Sequence, residues 1–367
     1  MAKSHSRGVF VRLLSNGRWS CLFAIFAMAI LVQHAGVVYA CATCGCSLNA
    51  DAAMGYSSTT GWQVTFQFDT IDQNQLRFGR HSVSFPEVAQ INNDGGEQEV
   101  EKQTNNHYYT LGISYSPTAD WNFRLLVPWV YRNHTTYGDS PNPLTPDLIS
   151  GAYVDSLGDM RLIASYQGFL PTHNLGVQLG VKFPTGNYGG ANADGTGIVG
   201  RHPVAFTYGP NSLNPSPDNL LDTSLQPGTG STDFVLGAYY YQAVSQNWDA
   251  FISGQYQFAF LHLLDQPGQD FRPGNLVNVS FGLRYEENPH TVPQIQLNLT
   301  HKSHDQGTLA DTADSAGTVL YLSPGITTMV APNMFVYGFV QVPLFSNLQG
   351  YQLFPRWTAS VGISYAF

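Results

Sequence analysis

Trp357-Thr358-Ala359-Ser360-Val361-Gly362-Ile363-Ser364-Tyr365-Ala366-Phe367 alternates apolar residues with small or polar ones along its whole length. A period of two puts Trp357, Val361, Ile363, Tyr365 and Phe367 on one side of an extended strand and Thr358, Ser360, Gly362 and Ser364 on the other. A helix, repeating every 3.6 residues, would scatter both sets around its circumference.

The same pattern recurs upstream. Trp62, Val64, Phe66 and Phe68 stand against Gln63, Thr65, Gln67 and Asp69; Tyr109, Leu111, Ile113 and Tyr115 against Thr110, Gly112 and Ser114; Trp121 to Tyr131 against Asn122, Arg124 and Arg132. Further segments start at Met160, Leu175, Phe234, Trp248, Val277 and Ile295. Two less regular ones lie at 319–326 and 336–344, where both faces hold apolar residues. No segment after residue 60 carries the i, i+3, i+4, i+7 spacing of an amphipathic helix. The spacing predicts an all-β chain of about 12 strands.

Alternation suits a soluble sandwich as well as a membrane barrel. Three features favour a closed, transmembrane antiparallel β-barrel. Trp121, Tyr131, Trp248, Tyr285 and Trp357 sit near segment ends, as interfacial aromatic girdles do. Connections alternate between short ones, such as 117–120 and 245–247, and long ones at 72–105, 133–157, 185–231, 262–274, 303–317 and 346–355. Short periplasmic turns and long extracellular loops are the pattern of outer-membrane barrels, and the 185–231 connection is long enough to hold a hairpin. Tyr365 and Phe367 close an amphipathic strand in the manner of an insertion signal read by the barrel-insertion machinery. An even strand number places both ends of the barrel in the periplasm.

Residues 1–40 combine Lys3, Arg7, Arg12 and Arg18, an apolar run from Cys21 to Val32, and Val38-Tyr39-Ala40. This is the layout of a secretory signal peptide, and the run is shorter than the ~20 residues that span a bilayer. The organisation expected is a signal at 1–40, a cysteine-rich periplasmic segment at 41–59, and the barrel at 60–367, in the outer membrane of a Gram-negative-type bacterium. Without the signal, 12 basic residues face 25 acidic ones, which argues against nucleic acid as a partner. The partners expected are outer-membrane lipid and a small-molecule solute.

Cys41, Cys44 and Cys46, with Met54 nearby, are unusual at the start of a barrel protein. Three readings stay open: a disulfide with a spare thiol, a thiophilic metal such as copper held by soft sulfur ligands, or a lipid on Cys41. A structural zinc site would need a fourth strong ligand.

Strand parity directs Asp69, Arg124, Arg132, Asp159, Arg161, Lys182, Asp233, Asp249, Arg284, Lys302 and Arg356 into the lumen. Seven bases against four acids make a passage favouring anionic or polar solutes, or a self-paired network that plugs the barrel. Gly112, Gly176, Gly180, Gly237, Gly282 and Gly362 leave room on the inner face, where Tyr108, Tyr239, Tyr241 and Phe251 could line an aromatic pocket.

The stretch Leu225 to Tyr240 (LQPGTGSTDFVLGAYY), preceded by Lys182 to Gly186 (KFPTG) and Leu157 to Arg161 (LGDMR), resembles the outer-membrane proteins grouped as a MetA-pathway phenol-degradation family. The resemblance covers the barrel and implies a channel for aromatic or hydrophobic compounds. The function expected is an outer-membrane channel or transporter for small solutes. The alternatives are thiophilic-metal handling through the cysteine segment and a structural or surface-adhesion barrel. Catalysis is not expected, since His301, the one histidine placed mid-wall, has no serine with a geometric claim on it among Ser280 and Ser323.

Overall fold

The structure, a computed structural model, describes residues 60–94, 99–137, 144, 148–191, 197–208 and 220–367. The signal expected at 1–40 and the segment 41–59, with Cys41, Cys44, Cys46 and Met54, lie outside the described residues. The strands are β1 (Gly61–Gly79), β2 (His81–Ser82), β3 (Val100–Ser116), β4 (Trp121–Tyr137), β5 (Ile149–Leu157), β6 (Arg161–Tyr166), β7 (Leu175–Lys182), β8 (Tyr188–Ala191) and β9 (Ile198–Arg201). They continue as β10 (Ser231–Ala243), β11 (Trp248–His262), β12 (Leu276–Tyr285), β13 (Thr291–Lys302), β14 (Gly317–Ala331) and β15 (Met334–Ala366).

Neighbours pair in the order β15-β14-β13-β12-β11-β10-β7-β6-β4-β3-β1, and β1 pairs with β15, so the sheet closes. Every pairing is antiparallel. A ring of strictly antiparallel neighbours must contain an even number of strands, and eleven elements form this one. The parity is restored inside β15. Met334 to Leu348 pairs with β14, Leu348 to Ala366 pairs with β1, and the Ala366 amide donates to the Asn333 carbonyl at 3.0 Å. The chain therefore doubles back near Gly350, whose φ of +67° suits a tight turn. β5 and β6 both pair with β4 and form one wall strand interrupted at Gly158-Asp159-Met160. The wall is crossed twelve times, as the alternation predicts.

Burial is inverted relative to a soluble protein. Along β13, Gln294, Gln296, Asn298, Thr300 and Lys302 are buried, whereas Ile295 and Leu297 are exposed. On β15, Ser360 and Ser364 are buried while Val361, Ile363 and Tyr365 face outward. This excludes a sandwich, whose apolar faces must meet. Among the described residues no helix is long and apolar enough to cross a membrane.

The long connections differ from the sequence expectation in extent. β1 continues to Gly79, β3 starts at Val100, β4 reaches Tyr137 and β5 begins at Ile149, so much of 72–105 and 133–157 is strand. Residues 346–355 are strand on either side of the tight turn. The reason is physical: beyond the lipid the outward face need not be apolar, so alternation fades while the backbone ladder persists. A helix of nine residues, α1 (Phe85–Asn93), fills part of the first connection; the Ser84 hydroxyl accepts from the Glu87 amide at 3.4 Å and Glu87 accepts from the Ser84 amide at 3.3 Å. The 185–231 connection does contain a hairpin, β8–β9.

In the half of the lumen nearest the short turns, rings lie on glycines of the adjacent strand. Tyr239 pairs across with Gly176, Phe251 with Gly282 and Phe339 with Gly325, and Tyr337 covers Gly362. A Cβ at Gly282 would stand 2.3 Å from the Phe251 ring, and one at Gly362 2.2 Å from Tyr337. Gly176, Gly282 and Gly362 therefore leave room for rings rather than for solute, and Tyr239 and Phe251 close strand contacts instead of lining a pocket. Gly282→Ala and Gly362→Ala should each destabilise the barrel by about 1–3 kcal/mol. The check is the temperature at which the folded, fast-migrating band is lost on electrophoresis; unchanged temperatures for both variants would refute the packing role.

Candidate functional site: the lumen and its roof

The barrel lumen holds a partly open cavity of about 450 Å³. Its wall combines an apolar strip, with Leu126, Pro128 and Val130 of β4 beside Ile163 of β6, and polar groups from Asp69, Arg124 and Arg161. Ser224, Gln226, Pro227 and Thr229 from one long connection and Phe271, Pro273 and Gly274 from another border it on the long-loop side.

Three lumenal cations hold that roof. Lys182, 3% exposed, lies 3.0 Å from Asp159 and 3.1 Å from Asp233, and also donates to Thr229 and to Ser231. Asp159 accepts from the Thr229 amide at 3.0 Å and the Gly186 amide at 3.1 Å, so the interrupted strand grips both ends of the 185–231 connection. Arg132 donates to Asn106 at 2.5 Å, to Tyr108 at 2.9 Å and to the Leu225 carbonyl. Lys302 pairs with Asp305 at 2.8 Å; Asp305 accepts from the Gly274 amide at 2.7 Å, and its own amide donates to Ser315 at 3.1 Å. Beyond the lipid, Thr308 donates to Asp270 at 2.8 Å and holds that carboxyl below the usual carboxylate range.

The motifs LGDMR, KFPTG and LQPGTGSTDF thus converge on one junction. Gly186 and Gly228 meet there so closely that a Cβ on Gly186 would stand 2.8 Å from the Gly228 backbone. On the β13–β15 side the inner face is filled by an amide and hydroxyl row, with Asn298 donating to Ser323 at 2.8 Å and Ser323 to Gln341 at 3.3 Å. Phe206, Leu221 and Leu225 of the long connection pack on Val130, Ala152 and Val154.

Of the sequence-predicted lumen residues, Asp69, Arg124, Arg132, Asp159, Arg161, Lys182, Asp233 and Lys302 border the cavity. Asp249 and Arg284 face each other across β11 and β12 at the short-turn end, where Arg284 pairs with Glu286 at 3.0 Å. Arg356 is exposed and does not reach the lumen. The register shifts between the pairs Ile71–Thr358 and Gln73–Pro355, leaving one extra residue on β15 and turning Arg356 out. Of the loop partners, Thr229 lies within the motif LQPGTGSTDF but was not singled out as a site residue, and Asp305 was signalled only by its three-residue spacing from Lys302. His301 faces outward between buried Thr300 and Lys302, whereas Ser280 and Ser323 are buried on the inner face, so the wall separates them.

Tyr365 and Phe367 stack at 5.8 Å, and Trp62 and Phe367 exchange backbone hydrogen bonds at 2.9 and 2.8 Å, closing the ring at its short-turn end.

No protein-family model matches the chain and no curated protein is similar to it in sequence. Among solved structures, it is similar to an outer membrane channel from Pseudomonas putida F1, with a TM-score of 0.55, 13% identity, and coverage of 84% of this chain and 96% of that one. A monoaromatic hydrocarbon channel, CymD, follows at TM-score 0.43 and 12% identity, covering 88% and 94%. The translocator domain of the autotransporter NalP from Neisseria meningitidis gives 0.47 and 10%, covering 95% and 98%. The chain is an outer-membrane β-barrel. From here, the short turns are periplasmic and the long connections extracellular.

Lys182→Ala leaves two carboxylates facing each other without their cation, a change that costs about 3–5 kcal/mol in buried pairs. Hydrogen exchange of the 225–231 backbone should accelerate strongly in this variant while the β11–β13 amides stay protected. Equal protection of 225–231 in variant and wild type would show that Lys182 does not hold the roof.

Proposed function

We propose that the barrel is an outer-membrane channel for small, largely apolar solutes, aromatic ones among them. The observation that carries this reading is the roofed cavity of about 450 Å³ with its apolar strip Leu126-Pro128-Val130 and Ile163. A compartment of that size holds a single-ring compound, and the strip offers it a dry surface. The polar groups around it are engaged with the protein: Lys182 and Lys302 with carboxylates, and Asp69 with Ser360 at 2.5 Å and Gln67 at 2.9 Å. A solute with few hydrogen-bonding groups therefore enters without displacing a satisfied ion pair, whereas a multiply charged one must compete with those pairs. The fold shared with a solved outer membrane channel supports the reading.

Uptake of a labelled single-ring hydrocarbon at limiting concentration, in cells whose outer membrane lacks other routes for it, tests the proposal. Expression of the wild-type barrel should raise uptake. Ile163→Trp, which fills the apolar strip, should lower it by about tenfold or more, while a folded-barrel control shows unchanged insertion. Uptake equal to that of cells without the barrel, or unaffected by Ile163→Trp, would refute the channel assignment.

A further inference from the structure

Lys182 and Lys302 each meet a carboxylate, but the third cation at the roof does not. Arg132, 4% exposed, borders the cavity and donates to three neutral oxygens: Asn106 at 2.5 Å, the Tyr108 hydroxyl at 2.9 Å and the Leu225 carbonyl. Among the described residues no acid pairs with it. A guanidinium carries five N–H donors, and these bonds use one on each of its nitrogens. One N–H on Nη1 and one on Nη2 are left over, and a carboxylate can engage such a pair as a fork. Tyr108 accepts from Arg132 and donates to no acceptor among the described residues, so its own O–H is a third unspent donor beside the same charge. Tyr108 borders the cavity as well.

The guanidinium is held from behind. Its Nε donates to Asn106, the Asn106 amide donates to Gln73 at 2.7 Å, and Gln73 donates to the Leu353 carbonyl at 3.2 Å. Asn106 and Gln73 are both fully enclosed, so this relay fixes the plane of the cation in advance and a ligand has little ordering to pay for. A buried cation with neutral partners alone is incompletely compensated for its lost hydration, and an anion beside it would complete the site. On the same inner face of β4, Val130 and Pro128 stand two and four residues from Arg132, about 7 and 13 Å along the strand. Both border the cavity, and Tyr108 pairs across with Val130.

We propose that this corner of the lumen is a recognition subsite for a single-ring monocarboxylate. The carboxylate accepts from Arg132 Nη1 and Nη2 and from the Tyr108 hydroxyl, and the ring lies on Val130 and Pro128. The proposal deepens the channel reading and rests on it for the solute's route into the cavity. Lys182 and Lys302 are already held by Asp159, Asp233 and Asp305, so the roof offers one unmatched positive charge and selects one negative charge. A second negative charge on the solute would fall on the apolar strip, where nothing compensates it. A neutral hydrocarbon fills the strip but leaves the three donors unspent.

The test titrates the purified full chain in neutral detergent with benzoate and with its neutral isostere benzamide, read by calorimetry. Wild type should bind benzoate about tenfold or more tightly than benzamide, the worth of a hydrogen bond to a charged group. Arg132→Gln should erase that preference, and Tyr108→Phe, which keeps the charge and the ring, should lower benzoate affinity by about tenfold. The comparison of the two ligands needs only wild type, so it holds even if Arg132→Gln fails to fold. A wild type that binds both ligands alike, or folded Arg132→Gln and Tyr108→Phe variants with unchanged benzoate affinity, would overturn the subsite. Hydrocarbon uptake that persists while benzoate fails to bind would overturn the subsite and leave the channel reading standing. A benzoate preference in a barrel that takes up no hydrocarbon would support the subsite and count against the channel reading instead.

Discussion

A backbone amide or carbonyl facing hydrocarbon with no partner costs several kcal/mol, and this constraint governs the rest of the molecule. The sheet must close on itself, so β1 must find β15, and the seam is sealed at its periplasmic end by the reciprocal hydrogen bonds of Trp62 and Phe367. Closure with antiparallel neighbours demands an even count, which the fold at Gly350 supplies. Closure also fixes the parity of every strand. Once Val361 and Ile363 face lipid, Ser360 and Ser364 must face the lumen.

The inner face consequently inherits the polar half of each strand without bulk water to solvate all of it. The structure resolves this in two ways. Near the periplasm, Tyr239, Phe251, Tyr337 and Phe339 lie on glycines or beside small residues, replacing water with rings. Toward the outside, Arg132, Lys182 and Lys302 reach to loop carbonyls and carboxylates, and each interaction draws extracellular chain inward. The cavity is the space between these two solutions. The cations read from the sequence as a passage for anions are thus largely fasteners of the roof, and the apolar strip beside Ile163 becomes the surface that a solute meets.

The barrel was legible because lipid imposes a period of two on every residue it touches. Where lipid ends, legibility ends as well: Gln73, Thr104 and Asn106 belong to strands whose outer continuations lack an apolar face. Arg356 was misassigned because parity counting assumes an unbroken register, and a single extra residue near Pro355 inverts it. The weak alternation at 336–344 belongs to a strand whose inner face carries Tyr337 and Phe339 packed on glycines, so both faces look apolar. The convergence of LGDMR, KFPTG and LQPGTGSTDF was invisible in one dimension, although Asp159, Lys182 and Asp233 were each directed correctly inward.

A roof fastened by buried ion pairs makes a definite statement about ions. Planar-bilayer recordings of the purified wild-type barrel in symmetrical high salt should stay electrically quiet, and the Lys182→Ala, Lys302→Ala double variant should show discrete open steps. A wild type that conducts like a wide aqueous pore, or a folded double variant as quiet as wild type, would contradict the closed, cation-fastened lumen.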